Sequence, residues 1–217
     1  MMRRPAAFLA LCASLVLSTQ ALAAELPQRW VSAGGALSEW ITALGGEARL
    51  VGVDTTSQHP ASLKALPSVG YQRQLSAEGI LSLRPDVLVG TEEMGPPPVL
   101  AQIRKAGVRV ELFSSKAELP AVDENLRHLG QLLGAEQQAS ALAADYRQRL
   151  DALQANVKLA QAGQQAPGVL LLVGHAGAKP LIAGQGTAGD WLLRQAGAHN
   201  LAEHQGYKNF SKEALAA

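Results

Sequence analysis

Tyr71 and Arg73 are the residues whose types and spacing best suit metal chemistry in this 217-residue chain. They lie two positions apart in the loop-like stretch GYQR at residues 70–73, in a chain with only three tyrosines. An ionised tyrosine oxygen is a hard ligand that suits ferric iron. A phenol has a reference pKa of about 10, and a nearby guanidinium favours the ionised form. A loop tyrosine half-buried for packing is the alternative that the residue types alone leave open.

Other groups with reactive chemistry are scattered along the chain. Gly34-Gly35 followed by Asp54 superficially resembles a dinucleotide site, but the G-x-G-x-x-G spacing is missing. P-loop, G-x-S-x-G and H-E-x-x-H motifs do not occur. We therefore expect no catalytic residues and no enzymatic activity. The histidines form no local ligand pair and are expected to be mostly solvated: His59, His128, His175, His199 and His204.

The first 23 residues have the pattern of a secretory signal peptide. Arg3 and Arg4 precede an apolar run at residues 6–17, and the small-x-small site Ala21-Leu22-Ala23 follows. The apolar run is shorter than the roughly 20 residues of a spanning helix, although a retained membrane anchor is the alternative. The pattern predicts export to the periplasm with cleavage after Ala23.

Cleavage would change the charge and the cysteine content of the chain. Loss of the two arginines leaves 17 basic against 18 acidic residues, a formal charge of −1. Cys12, the only cysteine, is also removed. The mature protein would then lack disulfides, a thiol nucleophile and thiolate metal ligands. A near-neutral charge without a basic cluster argues against nucleic acid as a partner.

Strand and helix patterns alternate along the mature chain, which favours βαβ units and parallel sheets. A helical pattern covers residues 135–161, and at 1.5 Å per residue it would run roughly 40 Å. We interpret it as a rigid connector between two lobes, with a coiled-coil partner helix as the alternative. Its apolar stripe is formed by Leu142, Tyr146, Leu150, Leu153 and Val157. Strands are predicted at residues 29–32, 49–54, 87–90, 108–113, 168–173 and 180–183.

The C-terminal part repeats motifs of the N-terminal part. The glycine, tryptophan and glycine at positions 35, 40 and 46 recur at 186, 191 and 197 with one constant offset. LSAE at residues 75–78 matches FSKE at 210–213, in the same order. Two matches in one order favour a duplicated lobe. The second copy stops at Ala217 inside its helix, so we expect a truncated second lobe.

Residues 70–86, GYQRQLSAEGILSLRPD, resemble the signature of periplasmic haem-binding proteins from bacterial ABC haem importers. The similarity extends through the mature chain, including the long helix and AGQGTAGDW at residues 183–191. The Ser-x-Glu and Pro-Asp part is shared with cobalamin- and siderophore-binding proteins and indicates only the superfamily. The Gly-Tyr-x-Arg part is specific to the haem-binding group.

This resemblance implies a fold and a function. The expected fold is α/β, with two Rossmann-like lobes joined by a long α-helix, as in helical-backbone periplasmic binding proteins. The expected protein is a periplasmic monomer that captures haem in the inter-lobe cleft and delivers it to a membrane permease. Tyr71 would be the axial ligand of the haem iron, and Arg73 would hydrogen-bond to its phenolate. The predicted divisions are the signal peptide at 1–23, the N-terminal lobe at 24–118, linking helices at 119–165 and the incomplete C-terminal lobe at 166–217.

The resemblance also assigns roles on the second lobe and the outer surface. Glu78 and Glu213 occupy equivalent positions in the two copies, and in the family such acids are thought to pair with permease arginines. Capping of the helix dipole alone is the alternative for both. His175 follows a second-lobe strand and could face the ligand, although a loop histidine bonded to backbone fits equally. A cobalamin- or ferric-siderophore-binding protein of the same fold, or a periplasmic α/β enzyme, are the rival functions.

Overall fold

The computed structural model describes residues 26–174 and 180–210. The predicted signal peptide, His175 and Glu213 lie outside these residues. The first part contains four strands and three helices, with 3-10 helices at Glu47–Arg49 and Ala61–Ala65. In chain order they are β1 Trp30–Ala33, α1 Gly35–Ala43, β2 Leu50–Val53, α2 Ala77–Ser82, β3 Val87–Thr91, α3 Pro97–Lys105 and β4 Arg109–Phe113.

Two further helices follow β4 and lead away from the first sheet. Helix α4 spans Leu119–Leu133 and ends at Gly134, whose left-handed backbone (φ 67°) is the usual stop for a helix. Helix α5 spans Glu136–Ala160, and its 25 residues run about 37 Å. An added Cβ on Gly130 of α4 would lie 2.6 Å from Ala139 of α5, so the two helices pack closely at this point.

The second part contains short strands around one helix. The elements are β5 Gly168–Val169, β6 Leu172–Val173, β7 Leu181–Ala183, α6 Ala188–Gln195, β8 His199–Asn200 and β9 Tyr207–Asn209. Strands β5 and β8 pair in parallel, whereas β6, β7 and β9 form an antiparallel sheet in that order. The predicted single buried strand over residues 168–173 is therefore wrong. Its two halves pair with different partners, and Leu172 and Val173 are each 44% exposed.

The first sheet is parallel throughout, with strand order β2-β1-β3-β4. Because side chains alternate across a strand, Trp30 and Val87 contribute to a core beneath α1 and α4, while Val31 and Leu88 face α2 and α3. All four side chains are fully buried. This arrangement confirms the predicted α/β class and covers both faces of the sheet with helices, as parallel sheets require.

Helix α5 connects the two parts. Its first half packs on α4, and Gln154 in its second half hydrogen-bonds to Gln195 of α6. Val157 also lies against Gly197, just beyond α6. The predicted helix that joins two α/β parts is thus confirmed, although Leu153 is 49% exposed rather than part of a buried stripe. No helix within the described residues has the length and apolar character needed to cross a bilayer.

Candidate ligand-binding site

Tyr71 lies in a loop at the carboxyl edge of the first sheet. We call residues 70–75 the tyrosine loop. The Thr55 N–H, just beyond β2, donates to the Gly70 carbonyl at 2.9 Å. The Gly95 N–H, beyond β3, donates to the Gln72 carbonyl at 3.0 Å. These bonds hold the loop across the strand ends, where parallel α/β folds bind their ligands.

The local geometry of the loop presents the phenol while burying its neighbour. Gly70 has φ 87°, a left-handed conformation that glycine adopts without a steric penalty. A turn follows, in which the Gln74 N–H donates to the Tyr71 carbonyl at 2.8 Å. Leu75 is buried in the core beneath α2 and α3, whereas Tyr71 is 41% exposed. The loop is therefore anchored at its end and leaves the tyrosine accessible to a ligand.

Arg73 lies beside the tyrosine but is engaged elsewhere. Its guanidinium forms an ion pair with the carboxylate of Glu93, in the loop that joins β3 to α3. Both side chains are about half exposed. Among the described residues, no hydrogen bond joins Arg73 to Tyr71. The expected support of a phenolate by Arg73 therefore stays a prediction.

A buried polar network lies beneath the tyrosine loop. Asp54 is 1% exposed and accepts hydrogen bonds from the Gly34 N–H at 3.0 Å and from the Ser57 hydroxyl at 2.9 Å. The Thr56 hydroxyl donates to the same carboxylate at 2.8 Å. Gly34 in turn lies under the loop, since an added Cβ would be 3.3 Å from the Gln72 side chain. Asp54 therefore links the ends of β1 and β2 through hydrogen bonds. This structural role accounts for the combination of Gly34-Gly35 and Asp54 that superficially resembled a dinucleotide site.

The second part contains a similar hydrogen-bond network around the buried carboxylate of Asp190 in α6. The Thr187 hydroxyl caps α6 by accepting from the Asp190 N–H at 3.1 Å. The Asp190 carboxylate accepts from the Gly186 N–H and the Asn200 amide, both at 3.1 Å, and pairs with Arg194 at 3.3 Å. Burial raises the pKa of Asp190, but these hydrogen bonds and the Arg194 charge outweigh it, and the pKa falls below its ordinary value.

We expect Asp190 to make the stability of the protein depend on acid. Because its folded pKa is lower than its unfolded pKa of about 3.9, its stabilisation is complete above that value and is lost as the pH falls through the folded pKa. Asp190→Asn should flatten the loss of unfolding free energy below about pH 4, measured by urea unfolding at several pH values. Asp151→Asn, at an exposed position of α5, should lose unfolding free energy in acid to the same extent as the wild type. Equal acid slopes for Asp190→Asn and wild type would contradict this role.

The two tyrosines of the repeat have different surroundings. Gly206, before Tyr207, has φ 72° and so matches Gly70 in conformation. Tyr207 itself lies in β9, where it pairs with Ala183 of β7, and it is 46% exposed. The motif copies the glycine turn but places its tyrosine in a strand rather than in a loop.

A cavity of about 610 Å³ lies between the two parts, next to α5 and α6. Tyr71 is not among its lining residues. The volume is within the range of roughly 300–1,000 Å³ for small-molecule sites. Its walls come from the loop after β4, from Gln154 and from α6, and include Lys116, Glu118, Thr187, Trp191 and Arg194.

The remaining predicted site residues are dispersed. Glu78 is exposed in the first turn of α2, where the Ser76 hydroxyl accepts from the Gly79 N–H at 3.4 Å. Among the described histidines, His128 and His204 depart from the solvated pattern. His128 stacks on Phe113 with the ring centroids 4.9 Å apart and contacts Glu111 at 3.1 Å, and the part-buried His204 Nε2 lies 3.4 Å from the Ile182 carbonyl oxygen. Within residues 26–174 and 180–210, no three His, Cys, Asp or Glu side chains cluster as a metal site.

Sequence reasoning missed two residues of this region. Glu93, the partner of Arg73, and Asp54, the acceptor beneath the loop, were not assigned a role in the site. Both lie within a few residues of the carboxyl end of a predicted strand, which is the signal that could have indicated them. Their side-chain partners are distant in sequence and depend on the tertiary fold.

Comparison with known proteins gives the class of this protein. The family model described as periplasmic binding protein matches residues 31–217. The chain therefore belongs to the periplasmic binding protein family. This assignment agrees with two α/β parts joined by one long helix.

Two solved structures and one relative from sequence comparison show which members of the family this chain is similar to. A periplasmic heme-binding protein from Pseudomonas aeruginosa is 64% identical, with a TM-score of 0.86 over 88% of this chain and 68% of that chain. The periplasmic heme-binding protein HutB of Vibrio cholerae is 38% identical, with a TM-score of 0.74 over 87% and 72% of the two chains. The vitamin B12-binding protein of Pectobacterium atrosepticum is 28% identical over 89% of this chain and 68% of its own length.

Proposed function

We propose that this protein is a non-enzymatic carrier that captures haem between its two α/β parts and delivers it to an ABC importer of the inner membrane. The observation that carries the proposal is the tyrosine loop, which holds an accessible Tyr71 at the carboxyl edge of the parallel sheet. The similarity to heme-binding proteins of the same fold, at 64% and 38% identity, supports it.

In this proposal the Tyr71 oxygen is the axial ligand of ferric haem, which is the transported cargo. One Tyr–Fe bond and the burial of the apolar porphyrin between the two parts supply the affinity. Arg73, two residues away, supports the phenolate once it leaves Glu93. His175, after the end of β6, is an additional candidate ligand contact on the second part.

The proposal includes the organisation and location of the chain. Residues 1–23 act as a cleaved signal peptide, and the mature protein works as a periplasmic monomer. Residues 24–118 form the N-terminal lobe, 119–165 the linking helices and 166–217 the C-terminal lobe. The boundary between residues 118 and 119 fits the observed end of β4 at Phe113 and the start of α4 at Leu119.

Glu78 is proposed to dock the carrier on the permease, together with Glu213 in the second copy. Glu78 is exposed and makes no side-chain ion pair among the described residues. We expect Glu78→Ala to slow haem transfer to the reconstituted importer by about tenfold, because complementary charges fix the docking register. Haem affinity should be unchanged. Glu39→Ala, at an exposed position of α1, is the control, and equal transfer rates for the two variants would contradict docking by Glu78.

Titration of the purified protein with hemin tests the proposed function. We expect stoichiometric binding with a phenolate-to-iron charge-transfer band in the visible spectrum. Hemin should protect the protein against thermal unfolding, because a ligand that binds only the folded state stabilises it. Absence of binding, or binding without this band, would contradict the proposal.

Cobalamin is the second candidate, favoured by the 28% identical vitamin B12-binding protein. A cobalamin carrier of this fold would have no need for a tyrosine oxygen on a metal. Competition between hemin and cyanocobalamin, followed by the hemin spectrum, distinguishes the two. Displacement of hemin by an equimolar amount of cyanocobalamin would favour the second candidate.

A further inference from the structure

The ion pair between Arg73 and Glu93 joins two loops whose relative position is fixed by the backbone. The Gly95 N–H donates to the Gln72 carbonyl at 3.0 Å, and the Leu75 N–H donates to the Gly95 carbonyl at 2.9 Å. Gly95 lies two residues after Glu93, and it bonds to Gln72 and Leu75, which lie on either side of Arg73 in the tyrosine loop. Glu93 is therefore held within reach of Arg73 by main-chain contacts, even though both side chains are about half exposed.

The pair engages the Nη2 nitrogen of the guanidinium that would support a metal-bound tyrosine, and it orients the side chain toward Glu93. Hydrogen bonds between a guanidinium and an anion are charge-assisted, so a new anion near Arg73 would compete with Glu93 for it. Haem binding would supply such charge at the Tyr71 oxygen and at the haem carboxylates. An exposed ion pair contributes little stability, so the exchange would cost little.

We propose that Glu93 is a positioning residue that holds Arg73 in the ligand-free protein and competes with bound ligand for its guanidinium. This inference rests on the proposed haem-carrier function. The competition lowers affinity modestly, and it returns Arg73 to Glu93 when the ligand leaves. Glu93 thereby favours release of haem to the importer without touching the iron.

Glu92 provides a matched comparison on the same loop. Its carboxylate accepts from the Ser115 N–H at 3.4 Å and lies 3.5 Å from the Ser115 hydroxyl, on the side of β4. It carries the same charge one residue away but does not contact Arg73. A difference between the two glutamates therefore measures the direct pair and not the general charge of the loop.

The test is hemin affinity of the whole chain in variants of this pair. We expect Glu93→Gln to tighten hemin binding about two- to fivefold. This fold-change corresponds to the free energy that an exposed ion pair contributes. Glu92→Gln should leave the affinity within about 1.5-fold of wild type. In an Arg73→Ala background, Glu93→Gln should have no effect, as a double-mutant cycle requires for a direct interaction. Weaker binding by Glu93→Gln, equal effects of the two glutamates, or an effect that persists without Arg73 would overturn the inference.

A measurement without haem separates this inference from the proposed function. The guanidinium N–H signals of Arg73, whose Nη2 pairs with Glu93, should shift in the NMR spectrum of ligand-free Glu93→Gln and stay in place in Glu92→Gln. Unshifted guanidinium signals in Glu93→Gln would overturn the inference whatever the ligand is. A shifted signal in a protein whose wild-type form binds no hemin would instead overturn the proposed function and with it the competition for haem.

Discussion

Tyr71→Phe is expected to abolish the phenolate-to-iron band of the hemin-loaded protein and to weaken hemin binding by more than about 100-fold. The substitution keeps the ring and removes only the oxygen that would bind the iron. Loss of a residue that merely orients a metal ligand already costs roughly 10- to 100-fold, so loss of the ligand itself should cost more. Because Tyr71 is 41% exposed and its oxygen makes no hydrogen bond among the described residues, unfolding free energy should change by less than about 0.5 kcal/mol.

Tyr207→Phe is the matched control for this experiment. Tyr207 follows the equivalent left-handed glycine and is similarly exposed, at 46%, but it lies in β9 without an arginine two positions on. We expect this variant to keep the band and to change the affinity by no more than a few fold. A band that survives in Tyr71→Phe, or disappears equally in Tyr207→Phe, would contradict the assignment of Tyr71. Spectral titration with hemin and urea unfolding of both variants are the measurements.

Asp54→Ala is expected to destabilise the protein by about 3 kcal/mol and to lower its Tm by roughly 6–12 °C. The carboxylate is buried and accepts from the Gly34 N–H and from the hydroxyls of Thr56 and Ser57. Removal leaves the buried Gly34 N–H without an acceptor, and each buried unsatisfied group costs about 1–3 kcal/mol. It also takes one partner from the buried Ser57 hydroxyl, which keeps Ser38 at 2.7 Å. For a chain of this size, 1 kcal/mol corresponds to about 2–4 °C in Tm.

The effect of Asp54→Ala should extend to the ligand. The residue next to Asp54, Thr55, donates to the Gly70 carbonyl, so disorder in the network would displace the tyrosine loop and weaken hemin binding. Asp145→Ala is the control, because Asp145 forms only an exposed pair with Arg149 at 2.8 Å and should change stability by less than about 0.5 kcal/mol. Thermal unfolding and hemin titration of both variants test the prediction. A Tm for Asp54→Ala within 2 °C of wild type would show that the network does not stabilise the fold.

The candidate site combines hydrogen-bonded strand ends with an accessible tyrosine. The buried carboxylates Asp54 and Asp190 hold the strand ends of the two parts, and each accepts from a backbone N–H of a glycine next to a helix. The tyrosine loop rests on the first of these networks. A carrier needs this combination, because an ordered ligand position reduces the entropy lost on binding, while a half-exposed pair such as Arg73–Glu93 can rearrange at little cost.

Several elements were predictable because their causes are local. The strand patterns at residues 49–54, 87–90 and 108–113 became β2, β3 and β4, since short strand-forming runs between helices pair in parallel. Of these, β3 is buried in the middle of the sheet, whereas β4 is an edge strand with only Phe113 buried. The helix at 135–161 became α5, and Ser76 caps α2 as expected. Local prediction failed at residues 168–173, where pairing partners distant in sequence divide one apolar run into β5 and β6.

The sequence by itself determined the α/β class, the long connecting helix, the motif repeat and the candidate tyrosine, because periodicity, glycine positions and residue types are local properties. Only the tertiary structure decided the partners of the charged groups. It placed Glu93 on Arg73, enclosed Asp54 beneath the tyrosine loop, and put Tyr207 in a strand while Tyr71 stayed in a loop. These contacts and placements depend on which loops lie next to each other at the edge of the sheet. That meeting is set by strand order and by packing between residues far apart in the chain.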